Sequence, residues 1–309
     1  MWFKRLKNND GRKLKAESRK QPKIDTMVSD LKEKFSVSVI ITTFNRKQYL
    51  KRSIDSVLHQ TRAANEIIII DDGSTDDTGK LIASEFSNLK YVWQENHGIS
   101  HARNQGISES GSNWIAFLDA DDEWLPQKLA YQIAALESDP EHKVCHTNEI
   151  WIRNGRRANP QKKHQKFGGW IFDKCLPLCV ISPSSVLIHR SVFDTFGKFD
   201  ESLPVCEDYD FWLRICAFIP VLYIGEAQII KYGGHRDQLS KKYWGMDRFR
   251  IISLEKIINN PDLKPQYRKL AVETLIEKIE IYITGADKRN KSDDVESFKE
   301  KKKYYLNLI

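Results

Sequence analysis

Runs of apolar, often β-branched residues alternate with amphipathic segments over the first half of the chain. The strand-like runs are SVSVIITTFN, NEIIIIDDGS, LKYVWQE and NWIAFLDADDEW. Apolar residues at helical spacing follow them in KQYLKRSIDSVLHQ, TDDTGKLIASEFS, GISHARNQGISES and PQKLAYQIAALES, the last with Pro126 near its first turn. Strands that alternate with helices at this interval predict βαβ units and a mostly parallel sheet covered on both faces.

The alternation weakens after about residue 140. VCHTNEIWIR and VISPSSVLIHR are predicted strands, and a long basic loop, RNGRRANPQKKHQKFGG, separates them. MDRFRIISLEKIINN and QYRKLAVETLIEKIEIYITG have helical periodicity, whereas DKRNKSDDVESFKEKKK is predicted to be a solvated tail. We therefore predict three regions: a basic, flexible tail over 1–34, an α/β domain over 35–240 and a helical C-terminal extension over 241–309.

The formal charge of +7 is concentrated at the N-terminus. Residues 1–34 contain 11 Lys and Arg against five Asp and Glu, so the rest of the chain is nearly neutral. This distribution argues against a nucleic-acid-binding domain, because the excess charge lies in the tail and not on the folded part. Such a tail is typical of disorder, and adhesion to anionic lipid or another acidic partner is its alternative role.

Cysteine content and hydropathy restrict the class of protein further. The five cysteines are odd in number and form no CxxC pair, which is typical of reduced thiols inside a cell. The apolar runs fall short of the roughly 18 residues of a membrane-spanning helix. The basic N-terminus lacks the apolar stretch of a signal peptide. We expect a cytoplasmic protein, with peripheral contact at the inner face of the membrane as the alternative that the tail allows.

Polar clusters follow three of the predicted strands. Thr42-Thr43-Phe44-Asn45-Arg46 ends the first, Asp71-Asp72-Gly73-Ser74 the second and Asp119-Ala120-Asp121-Asp122 the fourth. Ligands of an open parallel sheet bind in the crevice outside the carboxyl ends of its strands. The three clusters are therefore predicted to meet at one ligand site.

The cluster after the fourth strand predicts a metal site. Asp119 and Asp121 share a side if strand geometry persists, and two such carboxylates repel each other unless a cation lies between them. Oxygen ligands suit Mg²⁺ and Mn²⁺, and Mg²⁺ completes its shell with water and substrate phosphates. Asp122 and Glu123 are explained adequately as N-terminal caps of the helix that starts near Pro126.

Five blocks of sequence carry a resemblance to a known family. They are VSVIITTFNRKQYLKRSIDSVLHQT, NEIIIIDDGSTDDT, ENHGISHARNQGI, WIAFLDADDEW and CEDYDFWLR. In order and spacing they resemble the family 2 glycosyltransferases, over about residues 36–240. The resemblance implies the GT-A fold: a mostly parallel nucleotide-binding sheet flanked by helices, here with a C-terminal helical appendage.

The resemblance also implies the residues that bind the nucleotide-sugar donor. Thr43 and Asn45 would line the nucleoside pocket, with Arg46 beside them. Asp72 would accept a hydrogen bond from the base or ribose, unless Asp71 does so instead. A UDP-sugar is the donor that we expect.

Phosphate and metal contacts would come from the next two blocks. Arg103 would face the phosphates, where a guanidinium offers paired donors, although an ordinary helix-surface arginine is its alternative. Asp119 and Asp121 would form the DxD motif that holds Mn²⁺ or Mg²⁺, with Asp121 the more direct ligand. His235 would complete the metal shell, and a structural histidine is an equally open interpretation.

The CEDYDFWLR block would supply the catalytic base. Asp208 would take the proton of the acceptor hydroxyl, with Glu207 as the neighbour that could exchange roles with it. The alternative is that these carboxylates only decorate the start of a helix. Trp124, Trp170 and Trp212 could stack on a sugar ring, and we expect at least two of them to be core residues instead.

The expected function is metal-dependent, inverting transfer of a sugar from a nucleoside diphosphate to an acceptor hydroxyl, in cell-surface glycan or polysaccharide synthesis. A GT-A nucleotide-binding module without catalysis is the alternative. No glycine-rich loop follows the first strand, which argues against a nucleotidyltransferase or a Rossmann dehydrogenase. The basic loop from Arg153 to Lys166 could meet a phosphorylated or lipid-linked glycan acceptor, or it could be a solvated loop without that role.

Overall fold

The first half of the fold follows the predicted alternation of strands and helices. The computed structural model describes residues 35–159, 161–234, 242–291 and 295–308. Four strands come first: β1 Val37–Thr43, β2 Glu66–Asp71, β3 Lys90–Trp93 and β4 Trp114–Asp119. They alternate with α1 Lys47–Leu58, α2 Thr78–Glu85, α3 Ile99–Glu109 and α4 Lys128–Ser138. β1 pairs in parallel with β2 and β4, and β2 with β3, so the predicted parallel sheet is confirmed for this half of the fold.

The second half of the sheet is mixed. Its strands are β5 Glu123–Trp124, β6 Val144–Arg153, β7 Arg156–Ala158, β8 Val186–His189 and β9 Leu222–Gly233. The strand order is β3-β2-β1-β4-β8-β6-β9-β5, with β7 paired to β6. β8 is antiparallel to β4 and β6, whereas β9 is parallel to β6 and antiparallel to β5. No strand was predicted over β9, although it is the longest of the sheet.

Helices surround the second half and continue beyond it. They are α5 Phe172–Cys175, α6 Ser191–Phe196, α7 Glu207–Cys216, α8 Asp247–Ile258, α9 Pro265–Asp287 and α10 Val295–Leu306. The helical appendage is therefore present. In the described part of the chain, no helix is both long enough and apolar enough to cross a membrane. The predicted tail over 1–34 lies outside the described residues.

The prediction of a solvated tail before the C-terminus is wrong for α10. Val295 and Tyr305 are buried there, and the Tyr305 hydroxyl and the Lys301 ammonium both contact the carboxylate of Glu255 on α8. Only a few apolar residues of this segment are buried, and its many charged residues led to the prediction of a solvated tail. Only the position of α8 shows where those few residues are buried.

Two apolar clusters lie on opposite faces of the sheet. Ile40 and Phe117 point to one face, where they share a cluster with residues of α7, α8 and α9. Val39, Ile41 and Leu118 point to the other face and pack with α1 and α4. The alternation follows from the two-residue period of a strand. The boundary at residue 240 stays a prediction, since the C-terminal helices share the first cluster with the sheet.

A glycine sets the distance between α3 and β1. A Cβ atom added to Gly106 would lie 2.3 Å from Cγ2 of Ile40, which is inside van der Waals contact. The absence of a side chain therefore allows α3 to approach the central strand closely. This approach brings the first turns of α3 to the carboxyl edge of the sheet.

Candidate active site

The three polar strand ends meet at one edge of the sheet. In the register of the central strand, Thr43 lies opposite Asp71, and Thr42 lies opposite Asp119. Parallel strands place their carboxyl ends at the same edge, so the predicted convergence is confirmed. This edge is the candidate active site.

The two carboxylates that end β2 are buried and already hydrogen-bonded. Asp71 accepts from the backbone N–H of Ser74 at 2.8 Å and from the Tyr91 hydroxyl at 2.7 Å. The carboxylate of Asp72 accepts four hydrogen bonds, from the donors Gln94 Nε2, Asn96 Nδ2, His97 N and Gly98 N. Four donors fill the acceptor sites of a carboxylate. In this geometry Asp72 shapes the loop before α3, and its direct contact with a nucleoside stays a prediction.

The residues that follow β1 are hydrogen-bonded to the DDGS segment. Asn45, with a positive φ of 51°, donates its backbone N–H to Ser74 Oγ and accepts from Thr75 N on Oδ1. Arg46 Nη1 donates to the carbonyl of Asn45 at 3.2 Å. Thr43 Oγ1 is buried and has no hydrogen-bond partner within the described part of the chain. A buried hydroxyl without a partner is unfavourable, so a ligand donor or acceptor here would stabilise it.

The DADDE turn after β4 corrects one prediction. Helix α4 starts at Lys128 and receives no side-chain cap, so Asp122 and Glu123 do not cap it. Asp122 is buried and accepts from Ser184 Oγ at 2.7 Å, while Glu123 accepts from the Tyr232 hydroxyl at 2.7 Å. Both carboxylates are bound by segments that are distant in the sequence, the residues just before β8 and the end of β9. The sequence pattern alone did not show these contacts. Burial raises the pKa of Asp122 to about 8, and Lys231 opposes that rise.

The backbone of the same turn is held by α1. Ser53 Oγ lies 2.7 Å from the carbonyl oxygens of both Ala120 and Asp122. Arg52 donates to the carbonyl of Asp121 at 2.7 Å, and its guanidinium stacks 3.6 Å from the ring centroid of Tyr232. The position of Asp121 is thus determined by α1 and β9 together.

Arg103 connects the DxD segment to the segment that contains the predicted base. Its Nη2 donates to Asp119 Oδ1 at 2.9 Å, and its Nη1 donates to Glu207 Oε1 at 2.7 Å. The arginine is 3% exposed, so the interpretation of an ordinary helix-surface arginine is wrong. Two of its nitrogens are committed to carboxylates, and its contact with phosphates stays a prediction.

The start of α7 places two carboxylates with different environments. Glu207 is buried, and burial followed by the charge of Asp208 raises its pKa to about 7, although Arg103 opposes that rise. Asp208 is partly exposed, and its Oδ1 accepts from the backbone N–H of Tyr209 at 2.7 Å. The thiol of Cys179 lies 3.2 Å from both Asp208 Oδ2 and the carbonyl oxygen of Ile181, which share its one proton. Asp208 is therefore the more accessible of the two for an acceptor hydroxyl.

The segment from Cys179 to Ser184 contacts the acidic groups of both halves of the site. Cys179 binds Asp208, Ser182 donates to Glu149 Oε2 at 2.7 Å, and Ser184 binds Asp122. Sequence analysis missed these residues. The clustering of serines around a proline in VISPSS was the available signal, but it was assigned wholly to a strand.

A buried charge network lies behind this segment. Lys166 pairs with Glu149 at 3.0 Å and donates to the carbonyl of Val180 at 2.8 Å. It ends the basic loop that was predicted either to meet an acceptor or to be solvated, but its own side chain is only 6% exposed. Lys231, on β9, donates to Ser182 Oγ at 3.2 Å. Burial alone would raise the pKa of Glu149, but the two lysines lower it to about 2.

The metal ligands predicted from the sequence are only partly described. His235 lies outside the described residues. Among the residues that the structure does describe, no group of three or more His, Cys, Asp or Glu side chains has the arrangement of a metal site. Two carboxylates with phosphate and water oxygens would still suit Mg²⁺. Asp119 and Asp121 fit that smaller ligand set.

Two of the three candidate sugar-stacking tryptophans are core residues, as expected. Trp124 and Trp212 are 2% and 1% exposed, and the indole of Trp124 donates to the carbonyl of Ser184. Trp170 is 51% exposed, and the ammonium of Lys264 lies 4.6 Å from its ring centroid. Trp170 is the one that remains available to a ligand.

Comparison with known proteins decides the family. Residues 38–197, more than half of the chain, match the family described as Glycosyl transferase family 2. The chain belongs to this family. The predicted resemblance is therefore confirmed, and so is the GT-A fold.

Relatives of this chain include an uncharacterized glycosyltransferase and one whose donor and acceptor are named. A Rickettsia conorii protein described as an uncharacterized glycosyltransferase is 31% identical over 213 residues, which are 67% of this chain and 35% of that protein. The chain thus spans about a third of that relative's length. The Escherichia coli UDP-Glc:alpha-D-GlcNAc-diphosphoundecaprenol beta-1,3-glucosyltransferase WfgD is 32% identical over 188 residues, covering 59% of this chain and 70% of that protein.

Solved structures of glycosyltransferases share the fold. S. aureus TarS 1-349 in complex with UDP-GlcNAc has a TM-score of 0.67 at 20% identity, over 82% of this chain and 75% of that one. The mannosyltransferase PcManGT from Pyrobaculum calidifontis, in complex with GDP-Man and Mn²⁺, has a TM-score of 0.56 at 14% identity, over 87% and 84% of the two chains. At these identities the likeness concerns the fold.

Proposed function

We propose that this glycosyltransferase moves a sugar from a UDP-sugar to the hydroxyl of a glycan or lipid-linked acceptor, with inversion at the anomeric carbon. The observation that carries the proposal is the double contact of Arg103. One guanidinium binds Asp119 of the DxD segment at 2.9 Å and Glu207 of the base segment at 2.7 Å. This contact supports a single site for the proposed donor-binding and base segments.

In the proposed reaction Asp208 acts as the general base. Its carboxylate takes the proton of the acceptor hydroxyl as that oxygen attacks the anomeric carbon, while the bond from that carbon to the diphosphate breaks. The bonds from Tyr209 N and Cys179 Sγ hold the carboxylate in one orientation. A single displacement of this kind inverts the anomeric centre.

Asp121, with Asp119, would hold Mn²⁺ or Mg²⁺ at the end of β4. When bound, the ion would neutralise charge that builds on the departing diphosphate. The carboxylate oxygens suit either ion, and the turn that carries them is fixed by Ser53 and Arg52. We therefore propose that transfer depends on a divalent metal ion.

The donor and acceptor classes rest on the relatives. WfgD is named for a UDP-glucose donor and a diphosphoundecaprenol-linked acceptor, and TarS is seen with UDP-GlcNAc. We infer a uridine nucleotide and a role in cell-surface glycan or polysaccharide synthesis. PcManGT is seen with GDP-Man, so GDP-sugars must be tested beside UDP-sugars.

The test is a panel of UDP- and GDP-sugars, scored by thermal stabilisation with Mn²⁺, Mg²⁺ or EDTA and then by transfer to a lipid-linked glycan. A ligand of the native state raises the melting temperature with its affinity and concentration. We expect one UDP-sugar to stabilise the protein only when metal is present. Asp121→Asn should abolish this metal-dependent stabilisation. Stabilisation that is equal in EDTA would contradict the metal role.

Asp208→Asn separates catalysis from binding. We expect it to bind the donor like wild type while transfer falls by about a hundredfold or more, the range of a lost general base. Asp194→Asn, at an exposed position of α6, is the matched control and should transfer normally. Wild-type transfer by Asp208→Asn would refute its role. A wild type that binds donor but transfers nothing would favour a binding module.

A further inference from the structure

Lys231 is a cation of the candidate site that no role above uses. It lies near the end of β9, where Ile230 pairs with Glu123 and the backbone N–H of Tyr232 lies 3.3 Å from Asp122 Oδ1. These contacts place Lys231 beside the DADDE turn. The residue is half-buried.

The other buried cations of the site are bound to carboxylates. Arg103 is paired with Asp119 and Glu207, and Lys166 is paired with Glu149 at 3.0 Å. Within the described ranges of the chain, Lys231 instead donates to the hydroxyl of Ser182, which is a neutral acceptor, at 3.2 Å. Its ammonium therefore has donors left for a further anionic partner.

The electrostatic surroundings keep Lys231 charged. Burial alone would lower its pKa, but the carboxylates of Asp122, Glu149, Asp119 and Asp208 together raise it above the ordinary value. The same carboxylates give the site an excess of negative charge. A donor diphosphate would be repelled there unless cations offset that charge.

We propose that Lys231 contacts the diphosphate of the nucleotide-sugar donor and stabilises it as the leaving group. The inference rests on the proposed function and names a second cationic partner of the diphosphate besides the metal ion. The resemblance implied Arg103 at this position, but its Nη1 and Nη2 already bind carboxylates. Among the described residues, Lys231 is the site cation that donates to a neutral oxygen instead, which leaves its charge available to a phosphate oxygen.

The test compares uridine, UMP and UDP by isothermal titration at fixed Mn²⁺ and in EDTA. Lys231→Met should weaken UDP binding by about tenfold to a hundredfold, the range of a hydrogen bond to a charged group, and leave uridine binding unchanged. Lys231→Arg should restore most of the UDP affinity. Lys163→Met, an exposed lysine of the basic loop, is the matched control and should bind all three like wild type.

The possible failures are distinguishable. If Lys231→Met weakens uridine and UDP equally, Lys231 only supports the fold, and the proposal is overturned. The same follows if the variant keeps the wild-type preference for UDP over uridine. A wild type that binds none of the three ligands, with or without Mn²⁺, overturns the proposed use of a UDP-sugar together with this inference.

Discussion

Arg103 and Glu207 are 104 positions apart in the sequence, and their charged groups lie 2.7 Å apart in the fold. Glu207 is buried, so removal of the guanidinium leaves a carboxylate without its cation. We expect Arg103→Met to lower the free energy of unfolding by about 3–5 kcal/mol, the usual loss when one partner of a buried pair is removed. Urea unfolding measures it.

The double variant Arg103→Met with Glu207→Gln provides the control for that loss. Neutralising the carboxylate should recover about 0.5–3 kcal/mol, the range of coupling between contacting residues. If the double variant loses as much stability as Arg103→Met and Glu207→Gln lose together, the 2.7 Å contact contributes nothing to stability. Asp119 loses its contact with Arg103 in both the single variant Arg103→Met and the double variant. That loss therefore cancels when the two are compared.

Cys179 is predicted to orient Asp208 through the 3.2 Å contact between thiol and carboxylate. Cys179→Ala should lower kcat by about twofold to tenfold, the value of one weak hydrogen bond from a thiol, with donor KM unchanged. Cys179→Ser retains a donor and should stay closer to wild type. Steady-state transfer assays measure both constants. An equal loss in both variants, or a loss confined to donor KM, would argue against orientation of the base.

Lys128 is predicted to make stability depend on pH. It is fully buried, with its ammonium 3.9 Å from the ring centroid of Trp124 and 2.7 Å from Gln132 Oε1, and burial lowers its pKa to about 7. Between pH 7 and about 10 the unfolded chain binds this proton and the folded chain does not. The free energy of unfolding should therefore rise with pH in that window.

Lys128→Met removes this dependence. Measured by urea unfolding, the stability of wild type relative to the variant should rise by about 2 kcal/mol from pH 7.5 to pH 9, at 1.36 kcal/mol per unit. Parallel profiles of the two proteins over that range would show that Lys128 titrates alike in both states. The lost bonds to Gln132 and Val186 shift the curve without changing its slope.

Gly106 is predicted to be required by the packing of α3 on β1. Gly106→Ala places a Cβ 2.3 Å from Cγ2 of Ile40 and should lower stability by about 1–3 kcal/mol, the usual loss on overpacking. The matched control is Gly285→Ala in α9, where the nearest atom is the flexible end of Arg289 at 3.5 Å. That variant should be more stable by up to about 1 kcal/mol, as for alanine against glycine in a helix. Thermal unfolding of both variants measures the contrast.

The sequence by itself determined the parallel half of the fold and the edge at which ligands bind. Apolar runs at β1, β2 and β4 specify buried strands through local periodicity, and parallel pairing then brings Thr43, Asp71 and Asp119 together. The family and the GT-A fold followed from the same blocks. These conclusions depend on spacing along the chain, which the sequence records directly.

Tertiary structure alone decided how each charged group is neutralised. Asp122 was predicted as a helix cap, but Ser184 and β9 surround it, because β8 and β9 return to the DADDE turn from distant positions. Arg103 joins two carboxylates 88 positions apart in the chain, and Lys231 on β9 donates to the hydroxyl of Ser182, 49 positions away. The energy of a charge depends on burial and on neighbours within a few ångströms, and in this site those neighbours come from distant segments.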